Sequence, residues 1–371
     1  MKAVYIHIPF CDSICSYCDF SKFYYNKTIV DNYLQSLEYE INKIYKNDVI
    51  SSIYIGGGTP SSLTIEQLKK LFSILEKIKK SDSIEYTFEC NPENMTIEKI
   101  KLLKDRGINR VSIGVQSFND NILKLLNRKH NKKDVIELVK NLKFYGINNI
   151  NIDMIFGINN QSINDIKNDL DEFVKLDIPH ISYYSLILEK NTQLYISKYK
   201  EINDDDCASQ YEFICDYLKQ HDYSHYEISN FSTKNYESKH NLVYWNNENY
   251  YGFGCGAHGY INNIRYENTR SITKYINKNY MLNKYIVDEK EDIENQIMLN
   301  LRTREGINKE KFRNKFKKDI TDIYNFDFLI KNGLIIDNVD NIIIPEKYFF
   351  ISNQIIIDTL MSGDESDRNN W

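Results

Sequence analysis

Three observations predict an α/β fold: a partial (β/α) TIM-like barrel followed by a small, mostly helical, winged-helix-like C-terminal domain. Six β-branched or aromatic segments alternate with helical apolar stripes up to about residue 200. The polar residues suited to chemistry fall at the carboxyl ends of different predicted strands, where a (β/α) barrel gathers its site. After about residue 286 the strand alternation is lost and four-residue apolar spacing returns at Ile293, Ile297 and Leu301.

The first strand is the run Ala3 to Ile8, stopped by Pro9 before a cysteine-rich loop. Val30, Tyr33, Leu34, Leu37, Ile41 and Ile44 fall on one helical face, and Ser52 to Ile55 then runs apolar into Gly56-Gly57-Gly58. Thr64 and Gln67 stand at capping-box spacing ahead of a stripe of Ile65, Leu68, Leu71, Phe72 and Leu75. Ile84 to Phe88 is the third strand. Thr96 opens a helix that Gly107 can end in a left-handed cap, and Arg110 to Val115 is the fourth strand. Val135, Leu138, Val139 and Leu142 form the next stripe, Gly146 ends it, and Ile150 to Ile155 is the fifth strand. Ile163, Ile166, Leu170 and Phe173 precede the sixth, Ile181 to Ile187. Right-handed crossovers between such units give parallel strands. Past residue 200 the expected elements are a helix around Tyr211 to Leu218, a short strand at Tyr223 to Ile228 and an aromatic, Gly-rich region through Tyr260. Near the end, Phe326 to Ile335 reads as a helix, a glycine stop at Gly333 and a strand. The domain division is 1–220, 221–285 and 286–371.

Of the 371 residues, 42% are hydrophobic and 27% charged, which excludes wholesale disorder and fibrous repeats. With 47 basic and 52 acidic residues, no global positive field gathers nucleic acid, so none is expected as a partner. No run approaches the ~20 apolar residues of a membrane span. The opening MKAVYIHIPF lacks a signal peptide's apolar run and cleavage site, so the expected location is cytoplasmic.

Seven cysteines, an odd number with only three clustered, make a poor disulfide framework. Cys11, Cys15 and Cys18 stand at C-x3-C-x2-C spacing in a loop after a strand. Three thiolates there can hold three irons of a cubane cluster, leaving the fourth iron open. A zinc site would want a second Cys or His pair, and none follows nearby. The same spacing also fits a buried stripe on one helical face, although Pro9 and the short segment oppose a helix.

Tyr5-Ile6-His7-Ile8-Pro9-Phe10-Cys11 leading into that triad resembles the radical S-adenosylmethionine (SAM) superfamily, and within it the oxygen-independent coproporphyrinogen oxidase group with its HemW-type haem-chaperone branch. The resemblance spans nearly the whole chain. It implies a [4Fe-4S] cluster on Cys11, Cys15 and Cys18 whose open iron chelates SAM, and a reduced cluster that cleaves SAM to methionine and a 5'-deoxyadenosyl radical. It implies an electron donor for that cluster. The turn Gly57-Gly58-Thr59 is carried over as a contact to the methionyl part of SAM, although a glycine run alone is most often a tight turn. Tyr5, Tyr17, Glu89, Gln116, Arg128 and Asp153 are carried over as further SAM-site residues. Alone, Glu89 and Gln116 are ordinary strand-end polar residues and Arg128 a surface ion-pair partner.

Coproporphyrinogen oxidases of the group continue as C-x3-C-x2-C-x-C, whereas here Cys18-Asp19-Phe20 follows, which argues against oxidase activity. That departure, with His240-Asn241-Leu242-Val243-Tyr244-Trp245, resembles the haem-chaperone branch, whose members bind haem as cargo and deliver it to apo-haemoproteins. His240 is the candidate axial ligand, with Tyr244 and Trp245 against the porphyrin; without the resemblance all three are ordinary packed residues. Respiratory recipients would bring a peripheral membrane encounter, though no amphipathic anchor stands out.

Overall fold

The computed structural model describes residues 2–363. The chain opens with β1 (Lys2–Ile8), then β2 (Phe10–Cys11) and β3 (Phe23–Tyr24), a parallel pair that brackets the cysteine loop. Next come α1 (Lys27–Ile44), β4 (Ile50–Gly57), α2 (Ile65–Leu75), β5 (Lys80–Cys90), α3 (Ile97–Asp105) and β6 (Arg110–Gln116). They are followed by α4 (Asp120–Leu125), α5 (Lys132–Phe144), β7 (Asn149–Phe156), α6 (Ile163–Lys175) and β8 (His180–Ser185). The six expected strands are β1 and β4 to β8, with end shifts of a few residues, and the short pair β2 and β3 is additional. The helix starts behave as the sequence predicts: Thr64 and Gln67 close a reciprocal capping box, and the Thr96 side chain accepts from the Lys99 amide.

The remaining elements of this part are α7 (Gln193–Ile196), α8 (Asp204–Gln220), β9 (Ser224–Glu227), β10 (Asn230–Ser232), α9 (Lys239–Trp245), β11 (Asn249–Phe253), β12 (His258–Ile261), β13 (Ile264–Asn268), α10 (Ile272–Ile276) and β14 (Met281–Ile286). All the longer strands form one twelve-stranded sheet in the order β14-β13-β12-β11-β1-β4-β5-β6-β7-β8-β10-β9. Strands β1 and β4 to β8 run parallel, and the sheet ends at two separate edges, so the barrel is partial.

The sequence did not announce β11. It adds a seventh parallel strand beside β1, pairing Tyr5 with Gly252, although about 240 residues lie between them in the chain. Its run Asn-Tyr-Tyr-Gly-Phe has neither alternation nor length to mark it. Strand β14 was equally illegible, because all six of its residues are exposed and no buried face imposes a period of two.

The C-terminal part comprises α11 (Glu289–Asn300), β15 (Ile307–Asn308), α12 (Lys309–Phe316), α13 (Ile320–Ile323), α14 (Asp327–Lys331), β16 (Ile336–Asp337), β17 (Asn341–Ile343) and α15 (Ser352–Met361). It is mostly helical with one small sheet, β15-β17-β16, and Gly333 follows α14 at φ +67° as a left-handed stop.

A buried carboxyl ties the late strands to the first helix. Glu40 on α1 accepts from the Gly254 amide at 3.0 Å, the Asn268 side-chain amide and the Tyr275 hydroxyl. Nearby, the Tyr33 hydroxyl donates to the His7 carbonyl and accepts from the Cys255 amide at 3.1 Å. These bonds fix the turn after β11 against the end of β1.

Candidate functional site

Strand register explains why polar side chains meet inside the barrel. Glu89 pairs with Ser112, Ser112 with Asn151, Gly114 with Asp153, and Asp153 with Ser182. Because side chains alternate along a strand, these positions share the inner face while Phe88, Ile113 and Ile152 pack outward into the core.

The sequence-selected residues Cys11, Cys15, Cys18, Tyr17, Gly57, Gly58, Thr59, Glu89, Gln116, Arg128 and Asp153 all border one cavity of about 540 Å³ at the carboxyl ends of these strands. Tyr5 does not. It borders a second cavity, and its hydroxyl donates to His7 Nδ1 at 2.9 Å while His7 Nε2 donates to the Ser21 carbonyl at 2.8 Å. Burial lowers His7 to about 4, so the ring is neutral in this relay.

Cys15 and Cys18 lie in irregular backbone and Cys11 at the end of β2, so a helical stripe is ruled out. Among the described residues, no group of three His, Cys, Asp or Glu side chains is arranged to hold a single metal ion.

Two of the thiols belong to a polar circuit. Thr59 Oγ1 donates to Cys11 Sγ at 3.4 Å, and Asn91 Nδ2 donates to Thr59 Oγ1 at 3.3 Å. Arg128 Nη2 donates to Asn91 Oδ1 at 2.9 Å and to the Gly114 carbonyl, while Nη1 donates to Cys15 Sγ at 3.4 Å. Arg128 Nε is buried and has no partner among the described residues. A buried guanidinium donor left open at a cavity wall suits a carboxylate. Burial pushes the Cys11 thiol up to about 11 against the pull of the Thr59 hydroxyl, and raises Cys18 as well. Metal that takes them as thiolates therefore displaces protons.

Across the cavity, burial raises Glu89 to about 7 and raises Asp153. Glu89 accepts from the Gly57 amide at 2.9 Å; Asp153 accepts from Ser112 at 3.0 Å and Asn151 at 2.8 Å. Both carboxyls retain acceptor capacity toward the cavity. Gln116 holds φ +70°, an uncommon conformation for a side-chain-bearing residue at a strand end. Asn91 and Gly114, absent from the candidates that the sequence offers, also border this cavity. The signal for Gly114 was a glycine inside a strand, since a Cβ there would stand 3.0 to 3.2 Å from Gln116, Asn91 and Arg128. Nothing local marked Asn91.

The glycine turn is fitted to its neighbours more than to a ligand. A Cβ on Gly57, at φ +113°, would sit 2.5 Å from the His7 ring, and one on Gly58 would sit 2.8 Å from the Pro9 backbone. Gly57→Ala is expected to cost about 2–4 kcal/mol through positive-φ strain and overpacking. A denaturant midpoint indistinguishable from wild type would refute this.

His240 is buried. Its Nδ1 bonds Ser52 Oγ at 2.9 Å and its Nε2 bonds the Tyr244 hydroxyl at 2.8 Å. Both ring nitrogens are thus engaged, and iron ligation there would require breaking one of these bonds. Tyr244 borders the second cavity. Trp245 is half-buried at the end of α9, where its carbonyl accepts from Asn300.

The profile of the Radical SAM superfamily matches residues 5–173, and that of the HemN C-terminal domain matches residues 287–347. A protein named heme chaperone HemW from Lactococcus lactis is 38% identical, with 95% of this chain and 96% of that protein covered. Its Bacillus subtilis counterpart is 38% identical over 96% and 98%. This chain belongs to the HemW family of the radical SAM superfamily. Coproporphyrinogen III oxidase (HemN) from Escherichia coli has a similar fold, with a TM-score of 0.84 at 20% identity over 96% of this chain and 89% of that one.

A radical SAM protein carries a [4Fe-4S] cluster and SAM, and the three-thiol cavity with its open Arg128 donor fits both. When bound, the cluster supplies an electron and one iron site free of protein ligands. What the chain itself presents to such groups is three thiols on one loop, Arg128 beside Cys15, and the carboxyls of Glu89 and Asp153 on the cavity wall.

Proposed function

We propose that this HemW-family protein binds haem and delivers it to apo-haemoproteins, with a [4Fe-4S] cluster and SAM held in its barrel. The observation that carries this reading is near-full-length similarity to proteins named heme chaperones, joined to Asp19-Phe20 where the oxidase pattern needs a fourth cysteine. The cluster sits on Cys11, Cys15 and Cys18. SAM takes Arg128 against its carboxylate, the Gly57 to Thr59 turn at its methionyl end, and Tyr17, Glu89, Gln116 and Asp153 at its remaining polar groups. Tyr5 acts from outside this cavity, through His7.

The labour divides along the chain. Residues 1–220 hold cluster and SAM, residues 221–285 complete the haem region, and residues 286–371 form the helical domain. The protein works in the cytoplasm, takes electrons from a reductant and meets recipient apo-haemoproteins, respiratory ones included, through peripheral contact with a membrane. Among the described residues, no helix is long and apolar enough to cross one.

The deciding experiment is anaerobic reconstitution with iron and sulfide, then incubation of haem-loaded protein with an apo-haemoprotein. Haem transfer without porphyrin chemistry is the expected result. Conversion of coproporphyrinogen III to protoporphyrinogen by the protein with SAM and reductant would instead make it an oxidase.

Arg128→Ala is expected to weaken SAM binding by about 10- to 100-fold, the worth of a charged hydrogen bond, and Arg128→Lys to restore little because the planar fork is gone. Calorimetric titration at matched iron content measures this; equal affinity for wild type and Arg128→Ala would remove Arg128 from the site.

A further inference from the structure

A second cavity, of about 430 Å³, opens beside the first and falls in the size range of small-molecule sites. Asp19 and Phe20 border both cavities, so the dipeptide that replaces the fourth cysteine forms their common wall. Tyr244, Tyr250 and Met298 give it flat and soft apolar walls. Arg265 and Arg270 give it two guanidinium groups, and Arg265 Nε is buried with no hydrogen-bond partner among the described residues.

His258 also borders this cavity, and it differs from the other six histidines. His7, His130, His180, His225 and His240 are buried and hydrogen-bonded, and His221 bonds the Tyr217 carbonyl while stacking on that ring. The His258 side chain is 53% exposed, and its nearest carboxylate, Glu267 across the β12–β13 pair, stands 3.8 Å away. Its ring makes no hydrogen bond among the described residues. Both ring nitrogens are therefore free of hydrogen bonds, and Nε2 faces a carboxylate 3.8 Å away that a small movement would bring into the hydrogen bond common around metal-bound imidazoles.

We propose that this second cavity is the haem seat, with His258 as axial iron ligand, Arg265 and Arg270 on the two propionates, and the tyrosines against the porphyrin. This rests on the haem-delivery reading above and deepens it by naming the site. His240 then acts as a positioning residue, holding the Tyr244 hydroxyl at the cavity wall. The Glu40 bonds to Gly254, Asn268 and Tyr275 hold the turn that leads into His258.

The test is titration of ferric haem into the cluster-loaded full-length protein, followed by difference absorption and electron paramagnetic resonance. Wild type is expected to show imidazole coordination. His258→Gly is expected to lose it and to bind at least about tenfold more weakly. Added imidazole should restore the wild-type spectrum in that variant, and unchanged cluster absorption and SAM binding would show that the protein remains folded. Haem dimethyl ester, which lacks propionate charge, is expected to bind wild type about tenfold more weakly than haem, a gap that closes in an Arg265→Ala/Arg270→Ala double variant. An unchanged His258→Gly spectrum, or loss of coordination in His240→Ala alone, would overturn the assignment and leave the chaperone reading intact. Failure of wild type to bind haem at all would overturn both.

Discussion

Replacing Cys11, Cys15 or Cys18 singly by alanine is expected to abolish cluster assembly and, with it, tight SAM binding. Each thiol must supply one of three ligands, and no fourth cysteine stands in the cavity to substitute except Cys90, which burial holds far toward the protonated thiol. Iron content and visible absorption after anaerobic reconstitution measure the effect. Alanine at Cys207, Cys215 or Cys255, which lie outside the cavity, is expected to leave both unchanged. A Cys15→Ala protein that still carries four irons and binds SAM would sink the assignment. The three alanine variants should remain folded, because Cys15 and Cys18 lie in a partly exposed loop and Cys11 loses only one weak acceptor of the Thr59 hydroxyl.

The largest effect on stability is expected at Glu40. Glu40→Ala strands the Gly254 amide, the Asn268 amide and the Tyr275 hydroxyl in the interior, at a cost of about 3–5 kcal/mol. Its burial also sets a pH dependence. Glu40 is raised to about 7 when folded, chiefly by burial, from an ordinary value of 4.5. Between these values the folded state binds the extra proton, so this group's stabilising contribution is complete below pH 4.5 and is lost as pH rises through 7. Glu40→Gln removes that titration. Denaturant midpoints of wild type and Glu40→Gln across this range should therefore diverge in favour of the glutamine variant as pH rises, by up to about 3 kcal/mol. A pH-independent difference would mean that Glu40 keeps its charge inside the fold.

How much was legible follows from where each signal resides. The six parallel strands and their helices were readable because each carries its own period, stop and cap, as in Thr64 with Gln67 or Thr96 with Gly107. The cluster cysteines were readable because their partners lie within eight residues of chain. Strand β11 and residue Asn91 were not, since one acts by pairing with β1 and the other by bridging Thr59 to Arg128. Tyr5 was assigned to the SAM cavity from its place in a motif, but its hydroxyl turns to His7 beside the other cavity.

By itself, then, the sequence determined the α/β alternation, the family and the three-thiol loop, all properties of short segments whose spacing and local bonds are written in consecutive residues. Only the tertiary structure decided which histidine has ring nitrogens to offer. His240 and His258 are both single histidines in aromatic, polar surroundings, and the sequence does not say which of them keeps a ring nitrogen free. Helix α9 itself sets Tyr244 one turn from His240, but only folding brings Ser52 of β4 onto the other ring nitrogen and leaves His258 facing an open cavity with two arginines, because burial and hydrogen-bond occupancy depend on strands brought together from distant parts of the chain.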